Sequence, residues 1–205
     1  DSLIGVKGKD FIILAADTST LTRSQNEGTY HKNKFSIAMI KYGILTEKII
    51  AIGGQHSDVL VFGNYIQKNL AYLEYKNGVK LSIDDTANYI RHELAEAIRK
   101  GPYEVNCLLA GFEGNEPRLY WLDYFGTVVE LTKAAHGYAE FLPAVSWTLY
   151  KQKYFIHINS VNNEEEGITI IDRCLNTMKE RFLISQTSFT VKIIKKDGIK
   201  IIRAP

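Results

Sequence analysis

Cysteine is scarce in this chain, two residues in 205, and methionine (two), tryptophan (two) and proline (four) are nearly as rare. Cys107 and Cys174 each sit inside an apolar-periodic segment, Val105 to Ala110 and Ile168 to Met178, with no Cys-x-x-Cys spacing. They read as reduced core thiols of an intracellular protein, which excludes a disulfide framework and a thiolate metal site. Long hydrophobic runs are also missing: nothing approaches the ~18 apolar residues of a membrane-spanning helix. The opening Asp1-Ser2-Leu3 has no basic stretch followed by an apolar one, so no membrane contact is expected, and the cytoplasm and nucleus are the expected setting. Charge of one sign is absent too. Lys plus Arg number 25 against 23 for Asp plus Glu, without the basic excess that phosphate neutralisation requires, and nucleic acid is not an expected partner.

What the chain does have is apolar material: 45% hydrophobic against 23% charged residues is enough for a sizeable core, and the length suits a single domain over residues 1–205. Leu3 to Val6 and Phe11 to Ala16 read as a hairpin, with Gly8 offering a positive φ at the turn. Thr18 to His31 is polar and aperiodic, a loop, before strand character returns at Phe35 to Ile40 and Ile49 to Ile52. Phe62, Ile66, Leu70 and Leu73 then fall at helical spacing up to the stop at Asn77-Gly78. Ser82-Ile83-Asp84-Asp85 has the form of a capping box and starts a second helix carrying Ala87, Ile90, Leu94 and Ile98.

Strands follow at Val105 to Phe112, Leu119 to Asp123 and Thr127 to Leu131, parted by Gly114-Asn115-Glu116-Pro117 and Phe125-Gly126. Glu140 to Lys151 is weakly helical. Asn162 or Asn163 caps a stronger helix, in which Glu164, Glu165 and Glu166 suit the positive end of the dipole and Ile168, Ile171, Leu175, Met178 and Phe182 form the stripe. Phe189 to Ile194, the turn Asp197-Gly198 and Ile199 to Ile202 close the chain as a hairpin. This order does not alternate strand and helix as a doubly wound sheet does, and the strands are apolar on both faces. The fold class expected is α+β, a four-layer αββα sandwich.

No reaction or cofactor motif emerges from the polar residues. His31, His56, His92, His136 and His157 lack zinc-ligand spacing; Glu93 and Glu96, at i and i+3, read as a solvated helix face; Gly53-Gly54 lacks the context of a phosphate loop. No metal and no cofactor are expected.

Leu3-Ile4-Gly5-Val6, Ala15-Ala16-Asp17 and Asp197-Gly198-Ile199, set in this element order over nearly the whole chain, resemble the β-type subunits of the 20S proteasome. Tyr65-Ile66-Gln67-Lys68-Asn69, Tyr103 to Phe112, Asp123-Tyr124-Phe125-Gly126-Thr127 and Ala135-His136-Gly137-Tyr138 resemble the fourth β position in particular. The chain departs from the family pattern in the length of Thr18 to Lys48 and in Gly53-Gly54-Gln55-His56-Ser57-Asp58 ahead of the first helix.

The resemblance implies an N-terminal nucleophile hydrolase-like fold. Catalytic members of that family use an N-terminal threonine, whose hydroxyl attacks while its own amine takes the proton. Here residue 1 is Asp1, and Ser2 carries its hydroxyl one position late. Asp17 matches the aspartate ending the second strand, but the lysine of the third strand has only Lys32, Lys34 and Lys41 as unaligned candidates. The Ser/Gly-rich segment is replaced by His136-Gly137-Tyr138-Ala139, and Leu183 to Ser188 holds no aspartate. The expectation is a non-catalytic subunit with no catalytic residues, joined to other β subunits of its own and the opposite ring and to α subunits in a hetero-oligomer of roughly 28 chains. The alternative is a hydrolase acting through Ser2 after removal of Asp1.

Overall fold

The computed structural model describes residues 2–17, 20–23, 30–33, 38–42, 48–140, 161–181 and 189–203, with 20–23, 30–33, 38–42 and 203 described for the backbone alone. Strands β1 (Ser2–Lys7), β2 (Ile12–Asp17), β3 (Thr20–Arg23), β4 (Tyr30–Asn33), β5 (Ala38–Tyr42) and β6 (Lys48–Gly54) come first. Helices α1 (His56–Asn77) and α2 (Ile83–Ala97) follow, then β7 (Val105–Glu113), β8 (Glu116–Leu122), β9 (Val128–Glu130) and β10 (Lys133–Gly137). Helix α3 (Glu164–Arg181) and the hairpin of β11 (Phe189–Lys195) and β12 (Gly198–Arg203) come last.

Two five-stranded antiparallel sheets result, the first in the order β10-β1-β2-β11-β12 and the second β5-β6-β7-β8-β9. Period-2 alternation sends successive side chains of β2 into two different cores. Ile13 and Ala15 pack under Ile171, Cys174 and Leu175 of α3, whereas Ile12 and Leu14 meet Leu108 and Leu119 of the second sheet. The far face of the second sheet, with Ile50, Ile52 and Leu109, is covered by Phe62, Ile66 and Leu70 of α1 and Ile90 and Leu94 of α2. Three cores separate four layers, so the αββα sandwich is the observed fold, and sheets covered on both sides account for strands buried at nearly every position.

The helix ends follow local chemistry. Gly78 stops α1 in the left-handed region at φ 66°, its N–H donating to the Glu74 carbonyl. Ser82 accepts from the Asp85 N–H at 2.9 Å while the Asp85 carboxylate accepts from the Ser82 N–H at 3.3 Å, the reciprocal box expected. Ser82→Ala removes one acceptor from the first turn and is expected to lower stability by about 1 kcal/mol, read as a lower urea midpoint at unchanged slope. Beneath the same turn the ammonium of Lys48, only 8% exposed, donates to the Leu81 and Ser82 carbonyls and to Thr86 Oγ1, tying β6 to the start of α2.

Several local expectations are corrected. Residues within Thr18 to His31 are not one loop, because β3 and β4 pair as a separate hairpin from Thr20↔Asn33 to Arg23↔Tyr30. Of the strand expected at Phe35 to Ile40, residues 38–40 lie in Ala38–Tyr42, paired with β6, and residues 35–37 are outside the described residues. Gly8 is not among the positive-φ glycines. Its value is space: a Cβ there would stand 2.4 Å from the ring of Phe11, which is buried in the core. The turn between β7 and β8 is only Gly114-Asn115, since Glu116 and Pro117 already pair with Glu113 and Phe112. Lys133–Gly137 is a strand that was not anticipated. Ile168 is half-buried while Ile170 and Cys174 join the α3 stripe, and Ile98 at the end of α2 is exposed. Glu140 to Lys151, beyond Glu140 itself, and Phe182 lie outside the described residues.

Candidate functional site

Strand pairing gathers the candidate residues at one end of the sandwich. Leu3 pairs with Ala16 on one side and His136 on the other, which sets Ser2, Asp17 and Gly137 at the same end of the first sheet. Across the interlayer, Gly53 at the end of β6 pairs with Asn106 at the start of β7. Between them opens a cleft of about 460 Å³, lined by Leu3, Gly53, Gly54, Asn106, His136, Gly137, Tyr138 and Glu140. Its size lies in the ordinary range for small ligand pockets.

Two glycines shape it. Gly54 sits at φ 142°, and a Cβ on it would stand 2.0 Å from the Glu104 carbonyl oxygen. Gly137 has φ 68°, the left-handed turn at which β10 gives way to helical residues 138–140. At the neighbouring start of α1, Asp58 Oδ2 accepts from the Glu104 N–H at 2.9 Å, while the Gln55 N–H donates to the Glu104 carbonyl at 3.0 Å. Thus the segment Gly53 to Asp58, where the chain departs from the family pattern it otherwise resembles, is pinned to the lead into β7.

The chemistry at this end is muted. Ser2 and Asp17 are each 1% exposed, with Ser2 inside strand β1 opposite Gly137 and Asp17 closing β2 opposite Phe189. His136 is 4% exposed, and its Nε2–H donates to the Cys107 carbonyl at 3.1 Å. Burial lowers the pKa of this imidazole to about 4, outweighing the Cys107 and Leu122 carbonyls and the Asp123 charge, which favour the protonated ring. It is a neutral ring near pH 7 and a poor general base there. Burial likewise pushes the Cys107 thiol up to about 12, leaving it protonated.

Of the lysine candidates, Lys32 falls in β4 and Lys41 in β5 opposite Ile49, their side chains outside the described residues, as is Lys34 altogether. Leu183 to Ser188 and Asp1 are outside them as well. The helix carboxylates Glu93 and Glu96 part company: Glu93 accepts from the Tyr65 hydroxyl at 2.8 Å, while Glu96 pairs with Lys100 at 3.6 Å. His56 and His92 are exposed, and His31 and His157 lie outside the described side chains. The sequence reading missed Asn106, Glu140 and Trp121, whose places at or beside the cleft depend on contacts between layers.

Comparison with known proteins gives consistent matches. The family described as Proteasome, proteasome subunit, matches residues 1–194. The Arabidopsis thaliana protein named proteasome subunit beta type-2-B is 33% identical over 201 residues, 98% of this chain and 94% of the relative. Proteasome subunit beta type-2 of Oryza sativa subsp. japonica is 33% identical over 202 residues, covering 98% and 88%. Proteasome subunit beta type-4 of Saccharomyces cerevisiae is 29% identical over 209 residues, covering 98% and 96%.

Proposed function

Because the chain belongs to the proteasome β-subunit family, we propose that it is a non-catalytic structural subunit of the 20S core particle, a single domain that helps build the heptameric β ring around the proteolytic chamber. The observation that carries this reading is the chemistry at the cleft end. The residue ahead of β1 is Asp1, whose carboxylate offers no hydroxyl nucleophile, and the first hydroxyl, on Ser2, is 1% exposed inside a paired strand. His136-Gly137-Tyr138 stands where catalytic relatives are expected to carry a Ser/Gly-rich segment, and its imidazole is neutral and turned to a structural bond.

The outer surface supports an assembling role. On α1, Tyr65, Tyr72 and Tyr75 are 41, 58 and 88% exposed, with Leu60 and Val61 beside them. On the turn between β8 and β9, the rings of Tyr124 and Phe125 lie 3.9 Å apart, tilted by 35°, with Phe125 59% exposed. Aromatic side chains standing in water are enriched where subunits meet, and obligate interfaces commonly bury upwards of ~2,000 Å². The partners proposed are β subunits of the same and the opposite ring and the α subunits, within the degradation machinery of cytoplasm and nucleus.

A tagged chain recovered from its own cells is expected in a particle of about 650 kDa, the mass of roughly 28 chains of 23.2 kDa. The purified chain by itself is expected to turn over no peptide and to take no label from β-lactone or epoxyketone probes. A stable monomer that captures no α or β subunit contradicts the assembly role. Turnover lost on Ser2→Ala establishes instead the Ser2 hydrolase.

A further inference from the structure

The core between the two sheets is filled by aliphatic side chains such as Leu3, Ile12, Leu14, Leu108 and Leu119. One polar pair interrupts it. His136 on β10 of the first sheet and Trp121 on β8 of the second lie with ring centres 4.6 Å apart and planes 19° from parallel. The bonds they make run in opposite directions. His136 donates to the Cys107 carbonyl of the second sheet at 3.1 Å, while Trp121 Nε1 donates to the Ala135 carbonyl of the first at 3.0 Å. Each ring is rooted in one sheet and bonded to the backbone of the other, and His136 is also a wall of the cleft.

We propose that the His136–Trp121 pair is a proton-sensitive fastener between the two sheets: the neutral imidazole holds the cleft end closed, and its protonation frees that seam. A charged ring at this depth would need compensation, and beyond the Cys107 and Leu122 carbonyls little among the described residues faces it. From β7 come the Cys107 carbonyl and the uncharged Asn106, while the Cys107 thiol points away into the core under α1 and α2. Beyond β8 stands Asp123, whose Oδ1 is already taken by the Phe125 and Thr127 N–H groups at 3.0 and 2.8 Å. Tyr138 and Glu140 border the same cleft farther along the chain, while β1 and β6 contribute only Leu3, Gly53 and Gly54 to it. A buried cation without a close partner is expelled to water instead of being stabilised in place.

The sign follows from linkage. The folded imidazole titrates at about 4, below its ordinary 6.5. Above pH 6.5 its contribution is complete; between 6.5 and 4 the unfolded chain takes up the proton first and stability is lost; below 4 no more is lost. The folding equilibrium should fall on the order of a hundredfold or more across that window through this residue alone.

The test uses the full chain carrying Trp147→Phe, so that Trp121 is the sole emitter, with and without His136→Gln, which keeps an N–H donor but cannot be charged. Urea midpoints from pH 7.5 to 4.5 are expected to fall more steeply for the His136 chain, and Trp121 emission to shift with a midpoint well below 6.5 as the departing ring uncovers the indole. Parallel midpoint profiles, unchanged emission, or a midpoint at the ordinary histidine value overturn the proposal. Should His136→Gln not fold, the emission titration of the His136 chain decides alone.

Discussion

Aspartate at Ile66 is expected to unfold the chain, whereas aspartate at Tyr72, less than two turns further along the same helix, is expected to leave it folded and stop it joining a particle. Ile66 is 1% exposed and packs in the core between α1, α2 and the second sheet, as does Phe62. Losing its burial costs about 2–3 kcal/mol, and forcing a carboxylate into that core adds several more. Together these approach the whole stability of a typical domain, about 5–15 kcal/mol. Tyr72 is 58% exposed, with the Lys76 ammonium 5.9 Å from its ring centre, so a charge there meets water in the isolated chain. Circular dichroism of both variants, with co-purification of tagged chains, separates the outcomes. Normal incorporation of Tyr72→Asp would remove this face of α1 from the interface.

Gly54→Ala is expected to cost more than about 3 kcal/mol although it adds one methyl group. Two penalties coincide: φ is 142°, a region essentially reserved for glycine, and the new Cβ would overlap the Glu104 carbonyl at 2.0 Å and the Val105 Cα at 2.9 Å. The neighbours are backbone atoms at the start of β7, with Glu104 held by the Gln55 N–H and by Asp58, and cannot rotate away. Gly198→Ala supplies the control, having φ 145° but nothing within 4 Å of the added carbon. Its cost is expected near the backbone term alone, about 1–3 kcal/mol. Urea midpoints of the two variants measure the difference, and equal losses would mean that the β6–β7 ends spread apart to admit the methyl.

Residues whose structure is set by near neighbours were legible in the sequence. The α2 start was readable because Ser82 and Asp85 cap each other within one turn, and the α1 stop because Gly78 takes a left-handed conformation that few other residues favour. Buried strands such as Ile12–Asp17 announced themselves by continuous apolar content. β10 did not, because Lys-Ala-Ala-His-Gly has neither β-branched residues nor alternation, and it is a strand by virtue of its pairing with β1. The β3–β4 hairpin hid for a related reason: its Thr, His and Lys content shows no apolar face. At the cleft, a resemblance between stretches drew notice to His136, but its partner Trp121 comes from another sheet. Contacts between layers leave no periodic trace in either strand.

The placement of β11 between β2 and β12 has a consequence for how the molecule comes into being on the ribosome. The second sheet and its two helices use only residues 38–130, each strand pairing with the next in sequence, so that half can assemble while the rest is still being made. The first sheet cannot. Ala15 of β2 pairs with Val191 of β11, so the opening hairpin must keep its outer edge unpaired until β11 emerges. During that interval Ile13 and Ala15 also lack the cover of α3, and an exposed apolar edge invites pairing with other chains. Nascent chains stalled before residue 189 are therefore expected to be protease-sensitive in the first sheet and protected in the second, a division of labour between early and late synthesis set by strand order alone.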